Sequence, residues 1–242
     1  MGEFCCLTTD NERPTTVLMT WVKICGTTNL EDALVAVEAG ADALGFVFYE
    51  KSPRRVDVET AREIVGELPE RVEKVGVFVD QSAARIREII AHARLTAAQL
   101  HGEATVASIV AYGGTMRKAI AADKLIFVVP GEKVSDEGFL LSGAMKKEAF
   151  ALLLDSGAGS VLGGTGKTFD WEKASGAVQA LSFIVPVIVA GGLSPGNVGE
   201  AVRLFQPFGV DVASGVEAAP GKKDPEKVRE FVMAVRKARK SA

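Results

Sequence analysis

The sequence predicts an α/β fold, a single-domain (β/α)8 barrel with parallel strands, and three observations carry that expectation. From Trp21 onward, short apolar β-rich runs alternate with segments of helical period. Seven such units are distinct and an eighth is blurred, more strands than the five or six of a usual doubly wound sheet. The chain has 242 residues, the size of one compact barrel, and it shows no early glycine-rich dinucleotide turn.

Taken in order, VKICG (22–26) reads as strand 1 and LEDALVAVEAG (30–40) as its helix. ALGFVF (43–48) and VETAREIVGEL (58–68) form the second unit, KVGVFV (74–79) and SAARIREIIAHA (82–93) the third, and AAQLHG (97–102) and EATVASIVAYG (103–113) the fourth. The fifth strand is either MRKAI (116–120) or KLIFVV (124–129), and the stretch 130–147 is irregular. AFALLLDS (149–156) is strand 6, followed by a glycine-rich loop and a helix from about Asp170. IVPVIVAGGL (184–193) supplies strand 7, with a helix from Ser194 that places Pro195 at its first position. FGVDVASGVE (208–217) is strand 8, and Asp224 caps a last helix that runs to Arg239. Leu204, Val228, Phe231, Val232 and Val235 form inward stripes on the last two helices. No linker divides the chain, so residues 21–242 are expected to be one barrel and residues 1–20 a tail, disordered or non-native, with Met19 as an alternative start.

Composition removes several functional classes. With 28 basic against 31 acidic residues and a net charge of -3, nothing draws the protein to nucleic acid or an anionic membrane. Hydrophobic residues make up 48% and charged residues 24%, which excludes a disordered or collagenous chain. The longest apolar run, Phe183 to Ala190, contains Pro186 and is too short to span a bilayer. The first twenty residues lack a basic start and an apolar block, so no secretory signal is read there, and a cytoplasmic protein is expected. The three cysteines, Cys5, Cys6 and Cys25, are clustered and odd in number, which suits a reducing compartment.

A barrel builds its site at the C-terminal ends of its strands. AGGL with SPGN after strand 7, and ASG after strand 8, put Gly191, Gly192, Ser214 and Gly215 where backbone N–H groups bind a phosphate monoester, beside Asp211; the same glycines can also serve only as tight turns. GGTGKT (163–168) echoes a nucleotide P-loop, but the first glycine of that motif would fall on Val161. Lys23 and Cys25 share one face of strand 1; if that face is the interior, the ammonium lies below the thiol and lowers its pKa toward neutrality. A buried, inert cysteine is the plain alternative. Asp155 leaves an apolar run at the rim, where low dielectric would keep it partly protonated as a general acid; the alternative is a helix cap. Arg54 and Arg55 follow a proline after strand 2, where one guanidinium can clamp a carboxylate or both can be solvated. His101 is placed in the pocket and His92 on the surface, while the basic VRKARK end is the polar face of a last helix. No Cys/His or carboxylate cluster has the spacing of a metal site.

These segments resemble the phosphoribosylanthranilate isomerase family, TIM barrels of tryptophan biosynthesis. The likeness rests on VKICGTTNLEDA (22–33), DALGFVFYEKSPR (42–54), VGVFVD (75–80), QLHG (99–102), LLLDS (152–156), GGTGKTFDW (163–171), AGGLSPGNV (190–198) and VDVASGVEAAPGKKD (210–224). The resemblance implies an Amadori rearrangement without cofactor on a small phosphorylated substrate, by a monomer or homodimer. It puts Cys25 in the general-base position, Asp155 in the general-acid position, and Arg54 rather than Arg55 on the anthranilate carboxylate. Residues 121–150 depart from the pattern. Two rival readings are a histidine-pathway isomerase, which would carry paired aspartates on strands 1 and 5 where Cys25 stands instead, and a catalytically silent phosphate-binding barrel.

Overall fold

The computed structural model describes residues 19–101, 124–130, 150–155 and 170–240. Eight parallel strands close a barrel in sequence order: β1 (Trp21–Cys25), β2 (Ala43–Val47), β3 (Glu73–Val79), β4 (Ala97–His101), β5 (Lys124–Pro130), β6 (Ala151–Asp155), β7 (Val187–Val189) and β8 (Gly209–Val212). Pairing of β8 with β1, through Lys23 opposite Asp211, completes the ring. The fifth strand is thus the KLIFVV alternative, paired with β4 and β6. MRKAI, the fourth helix, the irregular stretch, the GGTGKT loop and residues 1–18 lie outside the described residues.

Alternation along each strand sorts its residues into two cores. Ile24, Leu44, Phe46, Phe78, Leu100, Phe127, Leu152 and Val210 point outward and are buried beneath the helices. Ala43, Val75, Ala97, Ile126, Ala151, Leu153 and Ile188 point inward and plug the lower barrel with small and branched side chains. Helices α1 (Leu30–Ala39), α2 (Val58–Gly66), α3 (Ala83–Ala93) and α4 (Trp171–Ser182) start at Asn29, Asp57, Ser82 and Asp170, whose side chains each accept a backbone N–H of the first turn. Val228, Phe231, Val232 and Val235 of the last helix are buried as their spacing predicts, and Leu204 packs half-buried.

Three expectations change. Strand 7 is only Val187–Val189, because Pro186 has no N–H for the ladder and Phe183 and Ile184 stand 93% and 57% exposed. The helix after it, α5 (Val198–Phe205), begins at Val198 and not at Ser194: residues 195–197 form a turn in which Asn197 Oδ1 accepts the Ser194 N–H and Asn197 Nδ2 donates to the Gly192 carbonyl. Strand 8 ends at Val212 and is followed by a 3-10 turn (Ser214–Val216) and a small antiparallel hairpin, β9 (Glu217–Ala219) with β10 (Lys222–Lys223). Asp224 caps the last helix, α6 (Pro225–Lys240), by accepting the N–H groups of Glu226 and Lys227.

Candidate active site

The inward face of β1 carries Lys23 and Cys25 up the barrel axis, as alternation requires. Above the apolar plug, Lys23 is completely buried, and its Nζ donates to Asp211 Oδ1 and Gln99 Oε1, both at 2.9 Å. With its oxygen committed to Lys23, the Gln99 amide turns its NH2 toward His101 Nε2 at 2.8 Å. That nitrogen must therefore accept, which assigns the neutral ring with its proton on Nδ1. Burial and the charge of Lys23 push the His101 pKa down to about 4, in agreement with that tautomer.

Cys25 lies 7% exposed at the top of the same column. The expectation that Lys23 draws its pKa toward neutrality is overturned: burial dominates and pushes the thiol up, against the opposing charges of Lys23 and Lys223. Burial favours the neutral form of Lys23, but Asp211 and Cys25 together outweigh that and hold its pKa above the ordinary lysine value.

A second charged cluster closes the rim between β1, β2 and β8. Arg54 Nε and Nη2 donate to Glu217 Oε1 and Oε2, each at 2.8 Å, a bidentate pair. This raises the Arg54 pKa, with the Glu217 hydrogen bond as the leading cause. Lys223 Nζ donates to Glu217 Oε1 at 3.0 Å and to the carbonyls of Cys25 and Ala213. Burial would raise the Glu217 pKa, but Arg54 and Lys223 together hold its carboxyl below the usual range. Burial lowers the pKa of Lys223 despite Glu217. Arg55 points elsewhere, half-exposed and 3.3 Å from Glu50. His92 is on the surface beside Glu59.

These groups surround a cavity of about 550 Å³ at the C-terminal mouth, lined by Cys25, Arg54, His101, Asp155, Gly191, Gly192, Asp211 and Ser214 among others. Asp155 follows Ala151 and Leu153 on the inward face of β6, a strand not adjacent to β1. Gly191 and Gly192 turn with φ of 84° and 65°, where a side chain would be strained. Gly215 does not line the cavity: a Cβ there would fall 1.9 Å from the Leu193 carbonyl oxygen, so it is the point where the β7 and β8 loops touch.

Sequence reasoning gave no role to Glu217 or Lys223, nor to Tyr49 and Lys51, which also line the mouth. A signal existed for the first two: a carboxylate and a lysine on either side of a Pro-Gly turn, next to a strand end. Among the described residues no cluster of His, Cys, Asp or Glu is arranged to hold a metal ion, and no helix is long and apolar enough to cross a membrane.

Residues 22–234 match the family model described as N-(5'phosphoribosyl)anthranilate (PRA) isomerase. The N-(5'-phosphoribosyl)anthranilate isomerase of Chlorobaculum parvum is 45% identical over 221 residues, 90% of this chain and 96% of the relative. That of Pseudomonas putida is 44% identical over 216 residues, 89% and 97% of the two chains. Among solved structures, the phosphoribosyl anthranilate isomerase of Thermotoga maritima superposes with a TM-score of 0.73 at 40% identity, over 90% of this chain and all of that one. A phosphoribosyl anthranilate isomerase in complex with reduced 1-(o-carboxyphenylamino)-1-deoxyribulose 5-phosphate gives 0.70 at 38% identity, with the same coverage.

Proposed function

The chain belongs to the N-(5'-phosphoribosyl)anthranilate isomerase family, and from that premise we propose how its residues perform the reaction. The enzyme is an isomerase of tryptophan biosynthesis that converts N-(5'-phosphoribosyl)anthranilate to 1-(2-carboxyphenylamino)-1-deoxyribulose 5-phosphate. One observation carries the assignment of roles: Cys25 and Asp155, from strands well apart on the ring, line one cavity with Arg54 and the two glycine-bearing loops. A substrate with a carboxylate at one end and a phosphate at the other fits that order.

In this reading Arg54 holds the anthranilate carboxylate, and Gly191, Gly192, Ser214 and the backbone fixed by Gly215 hold the phosphate. His101 and Asp211 bound the sugar between them. Asp155 donates a proton to the ribose ring oxygen; the C1–O bond breaks as the nitrogen lone pair forms a C1=N iminium. The Cys25 thiolate removes the C2 proton, and that electron pair forms C1=C2 while neutralising the nitrogen. The enolamine becomes the aminoketose when C1 takes up a proton and the C2 hydroxyl loses one. Hydrogen has moved within one molecule, so no external oxidant, reductant or cofactor enters the balance. Each proton transfer contributes a factor on the order of 10² to 10⁴.

The pair must hold one proton, on Asp155, while Cys25 is ionised. Burial opposes that distribution, and the charges of Lys23 and Lys223 favour it. The cationic iminium adds a further positive charge beside the thiol at the step that needs the thiolate.

The protein works in the cytoplasm as a monomer or homodimer, and residues 21–242 form its catalytic domain. A chain beginning at Met19 therefore keeps its fold and its turnover; loss of either would assign the tail a role. The direct test of function follows anthranilate fluorescence with freshly made phosphoribosylanthranilate. Wild type consumes the signal and Cys25→Ala does not; wild-type turnover by the variant would remove Cys25 from the mechanism. A histidine-pathway substrate assayed in parallel should be left unchanged.

A further inference from the structure

Arg54 enters the cavity already holding a carboxylate. Its Nε and one Nη2 hydrogen are used by Glu217, but a guanidinium has five N–H groups, and the Nη1 and remaining Nη2 hydrogens form a second fork. The stem is seated by a glycine: a Cβ on Gly26 would lie 2.7 Å from Arg54 Cδ. Glu217 is anchored in turn by Lys223, whose side chain is 1% exposed and whose other partners are the neutral carbonyls of Cys25 and Ala213. Among the described residues the side chains of Arg54 and Lys223 share the Glu217 carboxylate, while the buried Asp32 carboxylate accepts the Lys223 backbone N–H at 2.7 Å. A cation held out of water is costly without an anionic partner, and among the described residues no side chain occupies the second fork of Arg54, which is free to take a monoanion.

We propose that Glu217 and Lys223 are positioning residues that ready Arg54 for a second carboxylate, that of the substrate's aromatic ring. Glu217 fixes the plane of the guanidinium, so the rotamer entropy of a long side chain is spent before binding. Lys223 supplies the charge that keeps two carboxylates on one arginine from repelling each other. The inference rests on the isomerase reading and adds to it the residues that select a carboxylated substrate.

The test is calorimetry with reduced 1-(o-carboxyphenylamino)-1-deoxyribulose 5-phosphate and with the same compound lacking the ring carboxylate. Glu217→Gln should weaken the carboxylated ligand about tenfold or more, the scale of a charge-assisted hydrogen bond, and change the other by less than about twofold. In an Arg54→Ala background, Glu217→Gln should add less than about twofold, because its action passes through Arg54. Equal weakening of both ligands, no weakening, or full additivity with Arg54→Ala would overturn the proposal. Should Glu217→Gln not fold, Glu217→Asp keeps the charge and shortens the fork, and the same carboxylate-specific loss is expected; uniform loss again overturns it. A Lys223 charge that serves Cys25 instead would shift the pH dependence of turnover and leave the two affinities parallel, which also defeats the proposal. Failure of the isomerase reading is distinguishable: wild type would then bind both ligands but not consume phosphoribosylanthranilate, while the Glu217 comparison is still read from the binding data.

Discussion

The two ends of the cavity are made of different material. At the β7 and β8 end the lining is main chain, turned by Gly191 and Gly192 and packed where Gly215 meets Leu193. Where β1, β6 and the loop after β2 contribute, on either side of those loops, it is side chain: Cys25, Asp155, Arg54 and the charges that support them. Main-chain geometry carries no titratable group and tolerates no added atom, whereas side-chain chemistry tolerates small changes in shape and depends on protons. A phosphate has a fixed shape and a charge that needs only dipoles; a proton transfer needs groups whose charge changes. Under the proposed mechanism, the difference in lining follows from what each part does.

The largest effect belongs to the reactive end. Cys25→Ser and Asp155→Asn are each expected to lower kcat by a factor on the order of 10² to 10⁴, with KM little changed and the melting temperature near that of wild type. Steady-state kinetics on the two purified variants decide this, and a change confined to KM would place either residue in binding and not in chemistry. Gly215→Ala sharpens the contrast from the other side. Its Cβ would need the Leu193 carbonyl to retreat from 1.9 Å, a backbone displacement costing about 1 to 3 kcal/mol. KM and the inhibition constant of inorganic phosphate should rise together while kcat is largely kept. If kcat falls and phosphate inhibition is unaltered, the loops do not hold the phosphate.

The pH profile separates the ends directly. In the proposed mechanism turnover requires one proton shared between Cys25 and Asp155, so kcat/KM is expected to fall on the alkaline side when that proton is lost. Burial raises the Cys25 pKa, which moves the fall above the ordinary thiol value of about 8.5; beyond it, kcat/KM should drop about tenfold per pH unit. Phosphate inhibition should follow only the ligand's own ionisation. A descending limb near neutrality would mean that the thiol is not held up by burial in the working enzyme.

The backbone end was the more legible of the two in the sequence. AGGL and ASG announce tight turns at strand ends through residues that are local and contiguous, although the start of α5 was misplaced because Asn197 uses its side chain inside the loop. For the side-chain part, the sequence indicates which residues reach the cavity but not the direction of the Cys25 shift. Cys25, Asp155 and Arg54 could be chosen by their places at strand ends, yet the direction of the Cys25 shift depends on how deeply the barrel buries it and on Asp211 engaging Lys23 across 188 residues of sequence. Glu217 lies 163 residues from Arg54, and no periodicity joins the two. Closure of the ring between β1 and β8 brings them together, so pairings across that seam become visible only after folding.

The smallest expected effect is on stability and concerns His101, the one imidazole held inside the barrel. Its pKa is about 4 in the fold against about 6.5 in an unfolded chain. Between those values the unfolded state binds the proton and the folded state does not, so stability rises with pH across this window and is lost as pH falls through it. From pH 7 to 5.5 the loss attributable to His101 is about 1 kcal/mol. Glu217 has the opposite origin: its carboxyl is held low, its contribution is present above the ordinary carboxylate value, and it disappears only at more acid pH. Urea unfolding at pH 7 and 5.5 thus isolates the histidine. In His101→Asn, which removes the titrating ring, the difference between the two pH values should shrink by about 1 kcal/mol. An undiminished difference would show that His101 takes up its proton in the folded barrel, which would require the Gln99 amide to turn over and release Lys23.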